Sequence, residues 1–441
     1  MKPKILTNEE ENEVRKLAQQ YYESIRNKEI TNTKRLCGIE IEFSIIDDTN
    51  QLQPNTSLQF STLAPDHPIV PELGSYQIEI NPDPVKIDTT TFSRIYGQVQ
   101  KARCELEKIA QQHGKNIIPI GLPFYLDSEF LKKSDIITDK NRYLVSASYF
   151  GGLNKQGTRV DYQDGGHFFL PGDSGVTVIN ELHVQLQAIN LHDLIKLFNY
   201  SQMITAPFVA IGANSGITNG KILENIEQQI DIFEKSEGVY DGIKGVPRVG
   251  LFPGYISEIS DFMDIALSYK PLYIPDDKSA STAFELMLGI YYGWTRIRYG
   301  LEPTPHWRIE FRPLSSQPTM IENIALSEFY VKTLLSLINN NVQLLPQEYL
   351  VANFKEAIKH GMNSKIYWDL GQGLELYPAH LILSSLIDLL YPREYLDIIE
   401  KRIERKMAPS DRLIKETKKY GYELAIENYK SSFKNEKPYI H

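Results

Sequence analysis

Acidic side chains recur at every second position in a short segment near the start of the chain. In residues 38–45, Glu40 and Glu42 alternate with Ile39, Ile41 and Phe43. Because successive side chains of a β-strand point to opposite faces, both carboxylates should lie on one face and the apolar side chains on the other.

Each of three later segments again alternates polar and apolar residues. Their polar positions carry carboxylates, amides, a histidine and arginines, namely Gln77, Glu79, Asn81, His183, Gln185, Arg308, Glu310 and Arg312. Taken alone, any one of these strands has the composition of a solvated sheet face. Together they concentrate one kind of chemistry on what we expect to be one sheet.

Several carboxylates facing each other would repel and shift each other's pKa unless cations neutralise them. Mg²⁺ is the natural cation, with Mn²⁺ as a substitute, because it prefers oxygen ligands and bridges to substrate phosphates. The forked guanidinium groups of Arg308 and Arg312 suit a phosphate or a carboxylate. The four segments therefore predict a metal–ATP site.

The elements that would position these residues mix strands and helices without regular βαβ alternation. The predicted strands cover 36–46, 75–81, 117–123, 176–188 and 306–312, and the predicted helices cover 8–28, 90–113, 191–206, 281–294, 319–339 and much of 376–441. The glycine-rich segment 127–175 is predicted to be loops. This mixture indicates an α+β fold, with an antiparallel sheet covered by helices on one face. We expect three parts, which are an N-terminal lead-in helix over 1–30, a catalytic α+β domain over 31–390 and a C-terminal helical tail over 391–441.

The composition argues against several classes of protein. With 47 basic and 56 acidic residues the net charge is −9, so a nucleic-acid partner is not expected. No apolar run is long enough for a membrane span, and the charged first residues lack the apolar core of a secretory signal. Two cysteines, Cys37 and Cys104, cannot build a disulfide framework, so we expect a cytoplasmic protein. The sequence also contains no P-loop or dinucleotide-binding glycine motif.

Four motifs, in order along the chain, resemble those of a known family of ligases. Residues 38–43 are similar to the G-x-E-x-E-[FL] strand that opens enzymes of the glutamate–cysteine ligase and glutamine synthetase superfamily. Residues 71–82 resemble the ELG-x-x-Q-x-E-[IL]-N segment of glutamate–cysteine ligases, and this match is more specific. Residues 306–319 resemble the R-x-E-x-R…QPT segment of the type-2 glutamate–cysteine ligase and carboxylate–amine ligase group, and 409–413 resemble a weak tail motif of that group.

The resemblance implies a fold and a set of site residues. The implied fold is a curved antiparallel sheet that forms an active-site funnel, with helices on its convex face. The implied Mg²⁺ ligands form two groups, one of Glu40, Glu72 and Glu310 and one of Glu42, Glu79 and His183. Arg308 or Arg312 would neutralise the transferring phosphoryl group or the substrate carboxylate. The implied substrate or nucleotide contacts are Gln77, Asn81, Gln185 and Asn214.

The implied reaction joins a small-molecule acid, glutamate being the leading candidate, to an amine such as cysteine. ATP would activate the acid as an acyl phosphate, and the amine would displace phosphate to give a γ-glutamyl amide. Two alternatives stay open, which are a guanidino-kinase-like phosphotransferase and a non-catalytic Mg–nucleotide-binding regulatory protein. The amine, the donor and the oligomeric state are also open at this point.

Three features depart from the family pattern or fall outside it. The family often has a His-x-His strand where this chain has His183-Val184-Gln185. The segment 127–175, with Asp161, Asp164 and His167, is interpreted either as a lid over the acceptor site or as an ordered surface loop. Cys37 is interpreted as a buried reduced cysteine, with a redox role as the alternative.

Overall fold

An eight-stranded antiparallel sheet forms the centre of the computed structural model, which describes residues 6–441 except 27, 29, 134, 239–242, 244, 276, 278 and 303. The strands are β1 (Leu36–Ile46), β2 (Ile69–Pro71), β3 (Gln77–Ile80), β4 (Val85–Lys86), β5 (Asn116–Ile118), β6 (Glu181–Gln187), β7 (Thr295–Gly300) and β8 (His306–Ser315). Their order is β7-β8-β6-β1-β3-β2, and β4 and β5 pair with the two ends of β1.

The register of the sheet brings the polar residues of separate strands together. Glu42 lies opposite Glu79, and Glu40 lies opposite His183. Glu310 lies opposite Gln185 on the next strand. Directly opposed side chains in an antiparallel pair are near neighbours. Strands β3 and β6 pair with β1, and β8 pairs with β6, so these pairings assemble one polar face from strands that are far apart in sequence.

The α-helices surround this sheet. They are α1 (Asn8–Ile25), α2 (Ser57–Leu63), α3 (Thr91–Gln112), α4 (Asn141–Leu153), α5 (Leu191–Gly212), α6 (Gln228–Phe233), α7 (Ile259–Ala266), α8 (Ala280–Gly289), α9 (Met320–Asn339), α10 (Leu350–His360), α11 (Ala379–Asp388), α12 (Leu396–Arg405), α13 (Pro409–Tyr420) and α14 (Tyr422–Asn435). Two-stranded ribbons lie outside the main sheet, at Thr158–Asp161 with His167–Leu170, Ile217–Thr218 with Lys221–Ile222, Val249–Gly250 with Tyr292–Gly293, and Lys365–Asp369 with Leu374–Pro378.

Helices α3, α5 and α9 cover the apolar face of the sheet. Ile39, Ile41 and Phe43 of β1 are at most 1% exposed there. On β8, Phe311 stacks on Tyr330 of α9 with ring centroids 4.1 Å apart. Helices bury this apolar face, and the opposite, acidic face of the sheet borders a cavity that is described below. The predicted α+β fold, an antiparallel sheet with an active-site funnel on one face and helices on the other, is confirmed.

Each of the last two family motifs contains the start of a helix. Thr319, at the end of the QPT segment, is the N-cap of α9, and its hydroxyl oxygen accepts a hydrogen bond from the Glu322 amide at 3.3 Å. Pro409 occupies the first turn of α13, where the Asp411 carboxylate accepts from the Ala408 amide at 2.8 Å. Both arrangements satisfy amide groups that a helix leaves unpaired at its beginning.

Most predicted elements are present, but several bounds differ, and the predicted strand 117–123 is observed only at Asn116–Ile118. The predicted helix 281–294 ends at Gly289, and a strand missed by the prediction, β7, follows it. The predicted strand 176–188 begins with a helical turn, Gly175–Val178, and the first residues of 376–441 belong to the strand Leu374–Pro378. The segment 127–175 is not all loop, because it contains α4 and the ribbon that follows it.

Both ends of the chain pack into the same core as the sheet. Helix α1 packs on α8, where Tyr22 stacks on Phe284 with centroids 6.2 Å apart. On α12, the fully buried Arg402 donates to Gln317 Oε1 at 2.7 Å and to Glu322 Oε1 at 2.9 Å. The division of the chain at residues 30 and 390 stays a prediction. Among the described residues, no helix combines the length and apolar character that a membrane span requires.

Candidate active site

A cavity of about 630 Å³ opens on the polar face of the sheet. Its acidic wall is lined by Glu40, Glu42, Glu72, Glu79 and Glu181, together with His183. Strand β1 supplies the first two, and the neighbouring strands β3 and β6 supply Glu79, Glu181 and His183. Glu72 lies between β2 and β3, where its Oε2 accepts from the Leu73 amide at 3.2 Å.

Two groups of side chains offer ligand atoms that lie within 4.8 Å of one another. Glu42, Glu79 and His183 form one group, which is one of the two sets that the resemblance implied. The other group joins Glu40 and Glu310 to His183, whereas the resemblance had joined them to Glu72. Carboxylate oxygens dominate both groups, so this donor set fits Mg²⁺ or Mn²⁺ better than a softer metal.

The buried carboxylates of the acidic wall repel one another. Burial is the largest cause that raises the pKa of Glu79 well above its ordinary value, and Glu40, Glu72 and Glu42 raise it further. Burial and then Glu72 likewise hold the pKa of Glu42 well above its usual range. The pKa of Glu72 is raised by burial, against the opposing effect of Arg142. A divalent cation at this wall would remove the repulsion that raises these values.

His183 stands at the centre of both groups. Its Nδ1 shares a hydrogen bond with Glu40 Oε2 at 2.7 Å, and its Nε2 shares one with Glu181 Oε2 at 2.8 Å. Burial and Arg312 lower the pKa of His183, but the hydrogen-bonded carboxylates of Glu181 and Glu40 outweigh them and leave it well above its ordinary value. Both ring nitrogens face carboxylate oxygens, and this arrangement favours the protonated imidazole.

The opposite wall of the cavity is rich in arginine. Glu310 Oε1 accepts from Arg296 Nη2 at 2.7 Å and from Arg312 Nη1 at 2.8 Å, and Arg298 Nε lies 3.9 Å from Oε2. Burial raises the pKa of Glu310, but these three guanidinium groups together hold it well below its ordinary value. Arg312 is placed by an irregularity in β8, because the register with β6 shifts between Phe311 and Leu314.

Arg296 and Arg298, both on β7, line the cavity and were missed by the sequence analysis. Their signal was present, because they alternate with Ile297 and Tyr299 in a period of two. No strand was predicted there, because the predicted helix over 281–294 ends directly before β7. Arg298 lies against Gly289 of α8, where a Cβ atom would come within 2.7 Å of its Nη1. The Nε and Nη1 atoms of Arg298 are buried without a hydrogen-bond partner, although most buried polar groups have one.

Arg308, a predicted catalytic residue, is not among the side chains that line the cavity. It donates from Nε to Gln185 Oε1 at 2.5 Å, and Gln185 in turn donates to Glu40. Asn81 donates to Glu79 at 3.1 Å and to Glu40 at 3.3 Å. Gln185 and Asn81 therefore contact the acidic residues from outside the cavity lining, and Arg308 reaches Glu40 through Gln185. The catalytic and binding roles of these three residues stay predictions.

The other two predicted substrate contacts differ in position. Gln77 lines the cavity, where it accepts from the Gly74 amide at 2.9 Å and donates to the Ile179 carbonyl at 2.5 Å. Asn214 lies apart from the cavity, where its amide donates to the Ser316 carbonyl and the Tyr429 hydroxyl, each at 2.7 Å. Asn214 joins the C-terminal helix to the end of β8, a contact that only the folded chain creates.

The segment 127–175 reaches the cavity through α4. Arg142, Tyr143 and Ser146 of this helix are among the lining residues, and the Tyr143 hydroxyl donates to the Pro71 carbonyl at 3.0 Å. Asp161 and His167, singled out from the sequence, lie on the ribbon and do not line the cavity. Cys37 is a free cysteine that is fully buried on the apolar face, and burial raises the pKa of its thiol to about 12. A buried thiol with a raised pKa is unreactive, which favours the interpretation of Cys37 as a buried reduced cysteine.

Comparisons with known proteins agree with this geometry. A model of glutamate–cysteine ligase family 2 matches residues 36–384. No curated protein sequence matches the chain. The glutamate–cysteine ligase of Francisella tularensis, solved in complex with AMP, is similar in fold with a TM-score of 0.53 and 12% identity over 90% of this chain and 88% of that one.

The bifunctional glutathione synthetase of Pasteurella multocida is also similar in fold, with a TM-score of 0.52 and 13% identity. That similarity covers 97% of this chain but only 55% of the longer one. At these identities the two structures establish the fold alone. The family model spans all eight sheet strands, including every carboxylate of the acidic wall, and on that ground the chain belongs to glutamate–cysteine ligase family 2.

Proposed function

We propose that this protein is an ATP- and Mg²⁺-dependent carboxylate–amine ligase that forms a γ-glutamyl amide, with cysteine as the first acceptor to test. The observation that carries the proposal is one cavity with two unlike walls. Buried carboxylates that repel one another form one wall, and arginines with unpartnered N–H groups form the other. Membership of the family supports ligation of a carboxylate to an amine.

The chemistry explains why both walls are needed. A carboxylate does not react with an amine at neutral pH, because oxide is not a viable leaving group. Transfer of the γ-phosphoryl group of ATP to a carboxylate oxygen gives an acyl phosphate and ADP. The amine then attacks the carbonyl carbon, the C–O bond to phosphate breaks, and the nitrogen loses a proton to leave the amide. The positioning of three reactants is most of the catalysis in such a reaction.

The residues of this chain would divide that work by charge. Glu42, Glu79 and His183 would hold one Mg²⁺, and Glu40 with Glu310 would contribute to another. Bound Mg²⁺ would neutralise the triphosphate and orient its γ-phosphoryl group. The Arg298 guanidinium lines the cavity and has two N–H groups without a hydrogen-bond partner, so it would stabilise charge on the phosphoryl group or the acyl phosphate.

His183 must change its protonation state when a cation binds. Its pKa is raised in the structure because it faces Glu181 and Glu40, and a protonated imidazole cannot be a metal ligand. Cation binding at this wall should therefore release a proton from His183 and from the acidic residues whose pKa values are raised. That proton release is a signature that a simple surface site would lack.

The test is ADP release from MgATP with L-glutamate, in the presence and absence of L-cysteine and then of other amines, followed by mass spectrometry of the products. A γ-glutamyl amide formed only when acid, amine and ATP are all present supports the proposal. Phosphate transfer to a guanidino compound without amide formation would favour a phosphotransferase instead. Tight ATP binding without turnover on any acid would overturn the ligase assignment.

A further inference from the structure

Glu181, at the first position of β6, is the one carboxylate of the acidic wall that no family motif assigns. It is 2% exposed and lines the cavity. Its Oε2 is fully used, because it contacts His183 Nε2 at 2.8 Å and accepts from Arg312 Nη2 at 2.8 Å. Its Oε1 is buried and has no hydrogen-bond partner.

A buried carboxylate oxygen without a donor is costly, and an ionised carboxylate can only accept hydrogen bonds. The group that completes Glu181 must therefore be a donor or a cation. The two candidates in a ligase site are a divalent cation and the ammonium group of an amino-acid substrate. A neutral hydroxyl would compensate the charge less well.

The geometry separates these candidates. Neither group of converging ligand atoms includes Glu181, although both include its neighbour His183. Glu181 instead contacts the arginine wall, because its Oε2 forms an ion pair with Arg312. Because Glu181 belongs to neither group of converging ligand atoms, a single hydrogen-bond donor fits its unpartnered oxygen better than an ion that needs six oxygen ligands.

We propose that Glu181 Oε1 binds a substrate ammonium group, either the α-ammonium of the donor acid or the ammonium form of the acceptor amine. This rests on the proposed function, since both substrates of that reaction carry an amino group. Glu181 is then a specificity-determining residue, because a donor or acceptor that lacks the amino group would leave its oxygen unpaired.

A purely structural role makes a different prediction. If Glu181 only holds His183 and Arg312 in place, its loss would weaken every ligand of the cavity alike. If it binds ammonium, its loss would weaken only ligands that carry that group. Pairs of ligands that differ by one amino group therefore separate the two roles.

The experiment measures binding by calorimetry, with Mg²⁺ and a non-hydrolysable ATP analogue present, to the wild type and to Glu181→Gln. The probes are L-glutamate against glutarate and L-cysteine against 3-mercaptopropionate. We expect Glu181→Gln to bind the ammonium-bearing member of one pair about 10- to 100-fold more weakly, with little change for its partner. The affected pair identifies the source of the ammonium group.

The matched control is Glu227→Gln. Glu227 is also fully buried, but it lies outside the cavity lining, where it accepts from Ser315 and the Asn214 amide, and burial raises its pKa to about 8. This variant should keep the wild-type preference within both pairs. It controls for the replacement of a buried carboxyl by an amide.

Several results would overturn the assignment. They are an equal loss for both members of a pair, no loss for any probe, a loss of Mn²⁺ affinity in place of amino-acid affinity, and a wild type that binds neither ammonium-bearing probe. The outcome is separate from that of the proposed function. A wild type that binds these probes selectively but never forms an amide would refute the ligase assignment and leave the role of Glu181 standing.

Discussion

The two walls of the cavity bury similar carboxylates and treat them in opposite ways. Glu79 faces other carboxylates, and its pKa is held well above the ordinary value. Glu310 faces Arg296, Arg312 and Arg298, and its pKa is held well below the ordinary value. The carboxylate of the arginine wall has cationic partners as the chain folds, whereas the carboxylates of the acidic wall repel one another and would gain such partners from a bound divalent cation. Two buried carboxylates on one polar face should therefore differ in what their replacement changes.

Replacement of Glu310 should have the largest effect on stability. Glu310→Gln leaves three buried guanidinium groups facing one another, so we expect the free energy of unfolding to fall by about 3–5 kcal/mol, with turnover abolished. Urea denaturation at neutral pH measures the change. A variant as stable as the wild type would show that the arginines do not depend on Glu310.

The same change on the other wall should abolish turnover without that loss of stability. Glu79→Gln removes a proposed cation ligand, but the amide resembles the protonated carboxyl that the raised pKa favours. We expect metal-free unfolding to be unchanged or slightly more difficult, and Mn²⁺ to stabilise the variant less than the wild type. If Glu79→Gln unfolds as easily as Glu310→Gln, the contrast between the walls is wrong.

Stability without metal should fall as pH rises from about 5 to about 8. The folded-state pKa values of Glu42 and Glu79 are raised, so their contribution is present below the ordinary carboxyl pKa and is lost as pH rises through the raised values. The lowered pKa of Glu310 affects stability only at acidic pH, because the stabilisation by its ionised form is lost as pH falls through that low value. Thermal unfolding with a chelator, across this range, measures the slope.

A divalent cation should reverse this dependence. Mn²⁺ or Mg²⁺ at 100 times its dissociation constant should add about 2.7 kcal/mol. The gain should increase with pH, because the ligands must be deprotonated to bind. The Glu79→Gln variant is the control, and its metal-free slope should be shallower. A stabilisation by cation that does not vary with pH would contradict the assigned ligands.

A last comparison distinguishes two arginines on adjacent strands, and Arg308→Ala has the smallest expected effect. Arg298 lines the cavity with free N–H groups, so Arg298→Ala should lower kcat/KM by about 10²–10³-fold. Arg308→Ala should cost less than about tenfold, because Arg308 acts only through Gln185. Steady-state ADP release measures both. The reverse ranking would restore Arg308 to the catalytic role predicted from its motif.

The carboxylates were recognisable in the sequence because a strand has a period of two. Glu40, Glu42 and Glu79 lie on the faces that their alternation with isoleucine predicts, and the structure gathers them with His183. Arg296 and Arg298 followed the same rule, but Thr295–Gly300 is preceded by a helix whose end the sequence does not mark clearly. Helix α4 was missed because the glycines around it favour loops.

The sequence by itself determined which faces of which strands are polar, since side-chain alternation is a local property of the backbone. It also determined that a helix begins near residue 319, where Thr319 is the N-cap. Only the tertiary structure decided the neighbours of each charge. Glu79 and Glu310 look alike as residues within a strand, and their opposite pKa shifts arise from strand pairing and from a register shift near Arg312. Electrostatic energy depends on distances in space, and no local pattern encodes those distances.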